Sequence, residues 1–366
     1  MYNEHETLQK ALRELVKREC YWLKQKIASF QGKKYILFPA GPTAQRFYYT
    51  LKSDFGIEAE FFVDNNPSLE GKTLCGKPVM SFKTAFNGEE GNNYMILITT
   101  AFKYYREIAL QLDNVGIYSY MSGMAYYIAR NWERYATVCN MFEDEASKCA
   151  YWAAIYDLLT LNNEFIQYNE NHYFALKDFA HSYYDNEIVV DAGAYDGNTT
   201  EEFVKRMPGK TKFYAFEPFD KIRTILEKRV SRLKVEYPLE EDDIVIIAGG
   251  VGAVTKKVRS KETSKMLTIN DHGDLESSIY SLDDYFKDKQ AFTILKADVE
   301  GAEMDMLYGA ENMIRQNKPK MALSIYHYVD DFILIPEYVH RIVPEYRLFV
   351  RNHMIDYQDT VLYCII

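Results

Sequence analysis

The sequence lacks a disulfide or zinc framework. Its five cysteines (Cys20, Cys75, Cys139, Cys149, Cys364) are scattered over 366 residues, with no C-x-x-C pair and no histidine beside them. They read as reduced thiols of a cytoplasmic protein. The chain also lacks positive charge. A formal net charge of -10 excludes the basic footprint that a nucleic-acid backbone requires, so an acidic ligand would have to be met locally. Long apolar runs are missing too, which excludes a helical membrane span. The acidic start, Met1 to Glu6, has no apolar core and predicts no signal peptide. What remains is ordinary globular composition, 48% hydrophobic and 26% charged, on a chain long enough for two domains with their own cores.

The most informative stretch runs from Glu187 to Thr200. Ile188, Val189 and Val190 read as a buried parallel strand. The run ends in Asp191, Gly193 and Gly197, then passes Asn198-Thr199-Thr200 into a helix beginning at Glu201 and Glu202. The hydroxyls suit an N-cap and the glutamates suit the positive end of the helix dipole. Strand, glycine turn and helix start form a nucleotide-sized crevice at the carboxyl end of a sheet. A pyrophosphate cradle wants G-x-G-x-x-G without an acid at the strand end. Here the pattern is D-x-G-x-x-x-G, and Asp191 would repel a phosphate. A cationic cofactor fits better, and S-adenosylmethionine carries a sulfonium and an ammonium. Gly193, Tyr195, Gly197 and Thr199 are the expected cofactor contacts of this turn.

Taken in order, the chain opens with Leu8, Leu12, Leu15, Trp22, Leu23, Ile27 and Phe30 at helical spacing. This predicts an amphipathic helix over residues 1-32 that packs on its own domain, with a homodimer seam as the alternative. Residues 33-125 read as a small Rossmann-like α/β domain. Its strands are Tyr35 to Phe38, Ala59 to Val63, Tyr94 to Thr100 and Ile117 to Tyr120, with a helix from Tyr105 to Leu112. Asp64 falls where a Rossmann domain binds ribose hydroxyls. Pro42 and Ala44, however, replace the glycines a dinucleotide needs, so docking, dimerisation or recognition of a carrier substrate is the preferred role. This domain resembles the small Rossmann-like domains fused to sugar-modifying bacterial enzymes. Residues 126-180 read as an aromatic-rich helical connector, and Asn171-His172-Tyr173-Phe174 as either a lid over the cofactor or an aromatic plug.

Residues 181-366 form the second domain. After the Asp191 motif, Pro208-Gly209 breaks the chain and Lys212 to Phe216 makes a strand ending in Glu217-Pro218. Glu217 lies 26 residues beyond Asp191, where the next parallel strand presents an acid to a ribose diol. A third strand, Asp243 to Ala248, leads into Gly249-Gly250-Val251-Gly252, a small-residue loop expected against the adenine. Thr255 to Ser278 looks polar and irregular, with a hairpin as one reading. Ser281 is an N-cap, with Asp283 and Asp284 in the first turn, a structural account that suffices for both acids. The fourth strand, Phe292 to Ala297, ends in Asp298-Val299-Glu300-Gly301-Ala302-Glu303, followed by a helix from Met304 to Ile314. Three carboxylates at a strand's carboxyl end mark a candidate site, with one of them free to pair with Lys296 or Arg315. A fifth strand, Lys320 to Tyr326, ends in His327.

These residues carry a family resemblance. Asp191-x-Gly193-x-x-x-Gly197, Glu217-Pro218, Lys296-x-Asp298-x-Glu300-Gly301-Ala302-Glu303 with Gly309-Ala310, and His327 resemble the FkbM-type S-adenosylmethionine-dependent methyltransferases. The likeness covers the C-terminal half, from about Tyr173 onward. Ala297 departs from the family's bulkier apolar residue. Ser324 departs from the acid that often precedes the histidine, leaving His327 without an orienting carboxylate in sequence. The resemblance implies a class I methyltransferase fold: a seven-stranded, mainly parallel Rossmann-like sheet with helices on both faces. Two terminal strands, Tyr346 to Arg351 and Thr360 to Ile365, suit its closing antiparallel pair. It also implies O-methylation of a hydroxyl on a sugar, glycan or secondary metabolite.

The expected chemistry is in-line methyl transfer between two aligned reactants. Asp191, Glu217, Pro218 and Gly249 join the turn residues as cofactor contacts, and Asp298 either orients the methionine ammonium or acts as base. Asp298 and His327 are the candidate catalytic residues, one of them removing the hydroxyl proton. No metal need be invoked, with a hard divalent ion at Asp298, Glu300 and Glu303 as the alternative. Tyr326-His327-Tyr328 and Arg351-Asn352-His353 are the places to look for acceptor contacts. The rival readings are a NAD-dependent sugar-nucleotide oxidoreductase or epimerase using the first domain, and a non-catalytic cofactor-binding scaffold.

Overall fold

Short runs of β-branched and aromatic residues alternate with amphipathic helices through most of the chain, the pattern that builds parallel sheets between helical layers. The computed structural model describes residues 2-86, 89-100, 102-180, 186-207, 211-262, 267-269 and 275-366. They divide into two units, one made of residues 1-137, 152-165 and 328-330, the other of 138-151, 166-327 and 331-366. The expected connector, 126-180, is thus divided between the units. The expected break at Pro208-Gly209 lies outside the described residues. No helix among the described residues is long and apolar enough to cross a membrane.

In the first unit, strands β1 (Lys34–Phe38), β2 (Ala59–Asp64), β3 (Thr73–Leu74), β4 (Lys77–Ser81), β5 (Tyr94–Ile98) and β6 (Tyr120–Ser122) form a sheet of order β3-β4-β2-β1-β5-β6. The sixth strand starts three residues later than the sequence suggests, and Ile117, just before it, lies in the same hydrophobic core as Ile108 and Leu112. The first helix, Tyr2–Ser29, packs on the helix Gly123–Arg130. Its buried stripe is Leu12, Val16 and Cys20, while Trp22 is exposed. The spacing i, i+4, i+8 explains the choice, since these side chains stack on one face.

The second unit is built on β7 (Ile188–Ala192), β8 (Lys212–Phe216), β9 (Ile244–Ile247), β14 (Ile294–Ala297), β15 (Lys320–Ser324), β16 (Arg347–Asn352) and β17 (Thr360–Ile365). Between β9 and β14 lie β10 (Gly250–Val251), β11 (Lys256–Glu262), β12 (Leu267–Ile269) and β13 (Leu275–Tyr280), a small separate sheet. The region expected to be irregular is therefore largely strand, with β11 and β13 paired antiparallel from Lys256↔Ile279 to Ser260↔Leu275. The main sheet has seven strands in the order β16-β17-β15-β14-β7-β8-β9. All its pairings are parallel except those of β17. This is the class I methyltransferase arrangement: an α/β Rossmann-like sheet closed by an antiparallel strand. Its order reverses between β7 and β14, and such a switch point opens a crevice at the carboxyl ends of the two strands.

Candidate active site at the β7–β14 switch point

The loop after β7 is clamped from both sides. Gly193 and Ala194 donate their N–H groups to the Phe216 carbonyl of β8, at 3.1 and 3.0 Å. On the other side Asp298 donates its N–H to the Ala192 carbonyl at 3.1 Å. Gly193 has φ +75°, and a Cβ there would lie 1.9 Å from the Asp298 carbonyl oxygen. Only glycine fits this close crossing of two strand ends. Gly197, at φ +84°, is the N-cap of the helix Asn198–Arg206.

Asp191 was expected to face a ligand cation, but its side chain is fully buried and already paired. Lys296 Nζ lies 2.9 Å from its Oδ1, and Thr200 Oγ1 donates to its Oδ2 at 2.7 Å. The expected capping role of Thr200 is thereby displaced, and the helix start has no side-chain cap. Burial disfavours the Lys296 cation, yet Asp191 first and then Asp298 raise it above its ordinary value. Lys296 also donates to the Gly193 carbonyl at 2.7 Å, so this buried ion pair fixes the glycine turn. The expected pairing of Lys296 or Arg315 with the acids after β14 does not occur at this range, as Arg315 holds Glu311 at 2.7 Å.

Glu217 ends β8 with its carboxylate buried. Its Oε2 accepts the Tyr195 N–H at 2.9 Å and its Oε1 accepts the Phe219 N–H at 2.8 Å. Burial is the main cause that raises its pKa, against these two bonds. A carboxylate has about four lone-pair sites, so two remain for further donors. Tyr195 is exposed at φ +49°, and Thr199 is half-buried. Pro218 sits 3.8 Å from where a Gly250 Cβ would stand. Gly249 is packed against its own chain: a Cβ there would meet the Tyr280 ring at 2.6 Å and the Ser278 carbonyl at 2.7 Å.

The acids after β14 gather around His327. Glu300 and Gly301 both take positive φ, +55° and +93°, a tight reversal that non-glycine residues seldom adopt. It brings Asp298, Glu300 and Glu303 to one imidazole. His327 Nδ1 lies 3.0 Å from Glu303 Oε1, while Nε2 lies 3.4 Å from Asp298 Oδ1 and 3.7 Å from Glu300 Oε2. Burial pulls the imidazole pKa down, but Glu303, Asp298 and Glu300 outweigh it and hold it up at about 9. Tyr326 donates its O–H to Asp298 Oδ1 at 3.2 Å; burial, then Asp298, push its pKa up.

Asp298, Glu303 and His327 offer ligand atoms within 4.8 Å of one another. The ring stands between the carboxylates, with Nδ1 toward Glu303 and Nε2 toward Asp298.

Several expected contacts turn out to be structural. Arg351 pairs with Asp144 at 2.7 Å, and Asn352 is fully buried. His353 Nδ1 lies 2.8 Å from the Asn169 carbonyl and Nε2 lies 2.7 Å from the Tyr363 hydroxyl. Tyr173 is buried and stacked on His172, as the aromatic-plug reading of this segment expects. Ser281 does cap its helix, and Asp283 accepts the N–H groups of Asn312 and Met313. The helix expected from Met304 to Ile314 is two, Glu303–Tyr308 and Glu311–Asn317. They part at Gly309, where a Cβ would lie 2.1 Å from the Gly252 carbonyl oxygen. A 410 Å³ cleft lined by Glu187, Thr293, Lys318 and Lys320 opens at the amino ends of the strands, the wrong end for chemistry in this fold.

With the geometry in place, residues 191–353 match the family model described as the methyltransferase FkbM domain. Residues 191–353 thus carry an FkbM-type methyltransferase domain. The crystal structure of methyltransferase FkbM from Methylobacillus flagellatus KT aligns over 98% of this chain and 100% of that one, at 20% identity and a TM-score of 0.61. Aeropyrum pernix fibrillarin in complex with natively bound S-adenosyl-L-methionine aligns over 50% of this chain and 67% of that one, at 12% identity and a TM-score of 0.32. No curated protein matches the chain significantly. The matched span begins at Asp191, the buried acid that anchors the glycine turn.

Proposed function

We propose that the protein is an S-adenosylmethionine-dependent methyltransferase that acts on a hydroxyl of a sugar, glycan or secondary metabolite. The observation that carries this reading is Glu217. Its carboxylate is aimed by two backbone N–H groups at the end of the strand beside the glycine turn. Its remaining lone pairs suit the two hydroxyls of a ribose. The cofactor supplies an electrophilic methyl group on a sulfonium. Gly193 keeps the turn low and Lys296 fixes its carbonyl, so the backbone edge is held rigid for a ligand. Gly197, Tyr195 and Thr199 belong to the same turn and helix start, and Pro218 follows Glu217 at the end of the neighbouring strand. Gly249 supports the pocket wall by its packing on Tyr280. Asp298, partly exposed, is the accessible carboxylate for the methionine ammonium. Asp191 acts through Lys296 and does not meet the ligand.

His327 is the group we assign to the acceptor hydroxyl proton, with Asp298 as the alternative base. General-base catalysis of this kind contributes about 10²–10⁴-fold. The test is calorimetric titration of the full chain with S-adenosylhomocysteine. Micromolar binding is expected. Loss of charge-assisted bonds worth about 1.5–3 kcal/mol should weaken binding roughly 10- to 150-fold in Glu217→Ala. A folded wild type that binds no S-adenosylhomocysteine would overturn the assignment. A panel of hydroxylated acceptors then tests the O-methylation.

A further inference from the structure

The sequence offers His327 no orienting acid near it in the chain, yet the fold brings one. Glu303 opens the helix after β14, and His327 follows β15, the strand paired parallel with β14. Glu303 is fully buried. Its Oε1 accepts the Val299 N–H at 2.9 Å, which pins the carboxylate, and the same oxygen lies 3.0 Å from His327 Nδ1. Among the described residues its Oε2 has no hydrogen-bond partner, and His327 Nδ1 meets Oε1 as an ion-pair contact that lacks hydrogen-bond alignment. A buried carboxylate so poorly satisfied needs a cation beside it, and the imidazole is the group placed to supply it.

We propose that Glu303 is the positioning residue of a Glu303–His327 pair: it holds Nδ1 and so presents Nε2 as the nitrogen that takes the acceptor's hydroxyl proton. The inference rests on the methyltransferase reading for its chemistry, but not for its geometry. With Nδ1 turned to Glu303, the proton-accepting lone pair lies on the side of Asp298 and Glu300, at the partly exposed edge of the crevice. The charged and titratable groups facing the ring are Glu303 from its helix, Asp298 and Glu300 from the loop after β14, and Tyr326, whose ring centroid lies 4.2 Å from that of His327. Of these, Glu303 alone faces Nδ1. In the reaction the hydroxyl proton passes to Nε2, the oxygen lone pair forms the O–CH3 bond, and the broken S–C pair stays on sulfur. Removing the Glu303 charge therefore withdraws support from the imidazolium that this transfer creates, as in other acid-oriented histidines.

The experiment is long-range ¹⁵N NMR of the full chain labelled at its 7 histidines, with His327 assigned by its loss in His327→Gln. In Glu303→Gln the His327 titration midpoint should fall by a full pH unit or more from the wild-type value, with Nδ1 no longer the protonated nitrogen of the neutral ring. Glu303→Asp should restore part of that fall. Where methyl transfer is detected, the acid limb of the kcat/KM profile should move with the NMR midpoint in each variant. An unchanged midpoint and tautomer in Glu303→Gln would overturn the pair. If that variant does not fold, Glu303→Asp alone decides: a lowered midpoint supports the pair and an unchanged one overturns it. The NMR arm needs no cofactor, so a chain that transfers no methyl group still answers it.

Discussion

Lys296 and Asp191 are direct register partners across β14 and β7, and their side chains meet at 2.9 Å with almost no exposure to solvent. An ion pair in that position sits at the hinge of the whole site, because the same ammonium holds the Gly193 carbonyl. Removing one partner leaves the other charged and buried. Lys296→Met should therefore cost about 3–5 kcal/mol, read as a lower urea midpoint at unchanged slope. A loss under about 1 kcal/mol would show that the pair is dispensable.

Gly193→Ala places a methyl group 1.9 Å from the Asp298 carbonyl oxygen, at a φ of +75°. The left-handed conformation alone costs about 1–2 kcal/mol for an L-residue, and the clash adds to it by prying β7 from β14. The expected outcome is a lower melting temperature together with loss of S-adenosylhomocysteine binding by calorimetry. Gly71 supplies the control, since a Cβ there meets nothing within 4 Å; Gly71→Ala should pay only the backbone term and bind normally.

His327 should make stability depend on alkaline pH. Its pKa is held up at about 9 in the folded chain, against roughly 6.5 when unfolded. The stabilisation is whole below pH 6.5, where both states carry the proton, and is lost as pH rises through 9. Urea midpoints of the wild type should fall between pH 6.5 and 9.5 more steeply than those of His327→Gln. Parallel curves for the two proteins would contradict the ion-pair geometry.

The first unit should not bind a nicotinamide dinucleotide. Gly41 is extended at φ -151°, followed by Pro42 at the helix start, and Ala44 is buried, so the turn offers no row of bare backbone N–H groups to a pyrophosphate. NADH fluorescence should be unchanged by the protein at tens of micromolar. Saturable quenching would revive an oxidoreductase role.

Strands β7, β8 and β14 were legible because Ile188 to Val190 and Phe213 to Phe216 are apolar runs that end in an acid, and Ile294 to Ala297 is an apolar stretch broken only by Lys296 and followed by Asp298. The strand-end carboxylates Glu217 and Asp298 were legible for the same reason. The partnerships among charged groups were not. The sequence sets Lys296 beside the acids that follow it, whereas its partner is the residue opposite it in the register. A lone lysine and a lone aspartate inside two apolar strands were the available signal. In sequence Glu303 is one of three clustered acids, and nothing local sets it apart. Its pairing with His327 follows only once β14 and β15 are known to be neighbours. The Arg351 to His353 segment misled because polar residues at a strand end look solvent-facing, yet Asp144, Asn169 and Tyr363 absorb them.

The path of the chain has a practical consequence. The first unit is completed by residues 152-165 and 328-330, and the second takes residues 138-151 before its main body begins. No single cut separates the two without stripping one of a piece of its own fold. Expression of residues 191-353 as a stand-alone fragment, the span that the FkbM model matches, would discard β17 (Thr360–Ile365), the strand between β15 and β16. Fragment work on this protein should keep the full chain and silence one unit by substitution, since excision would leave raw sheet edges open to aggregation.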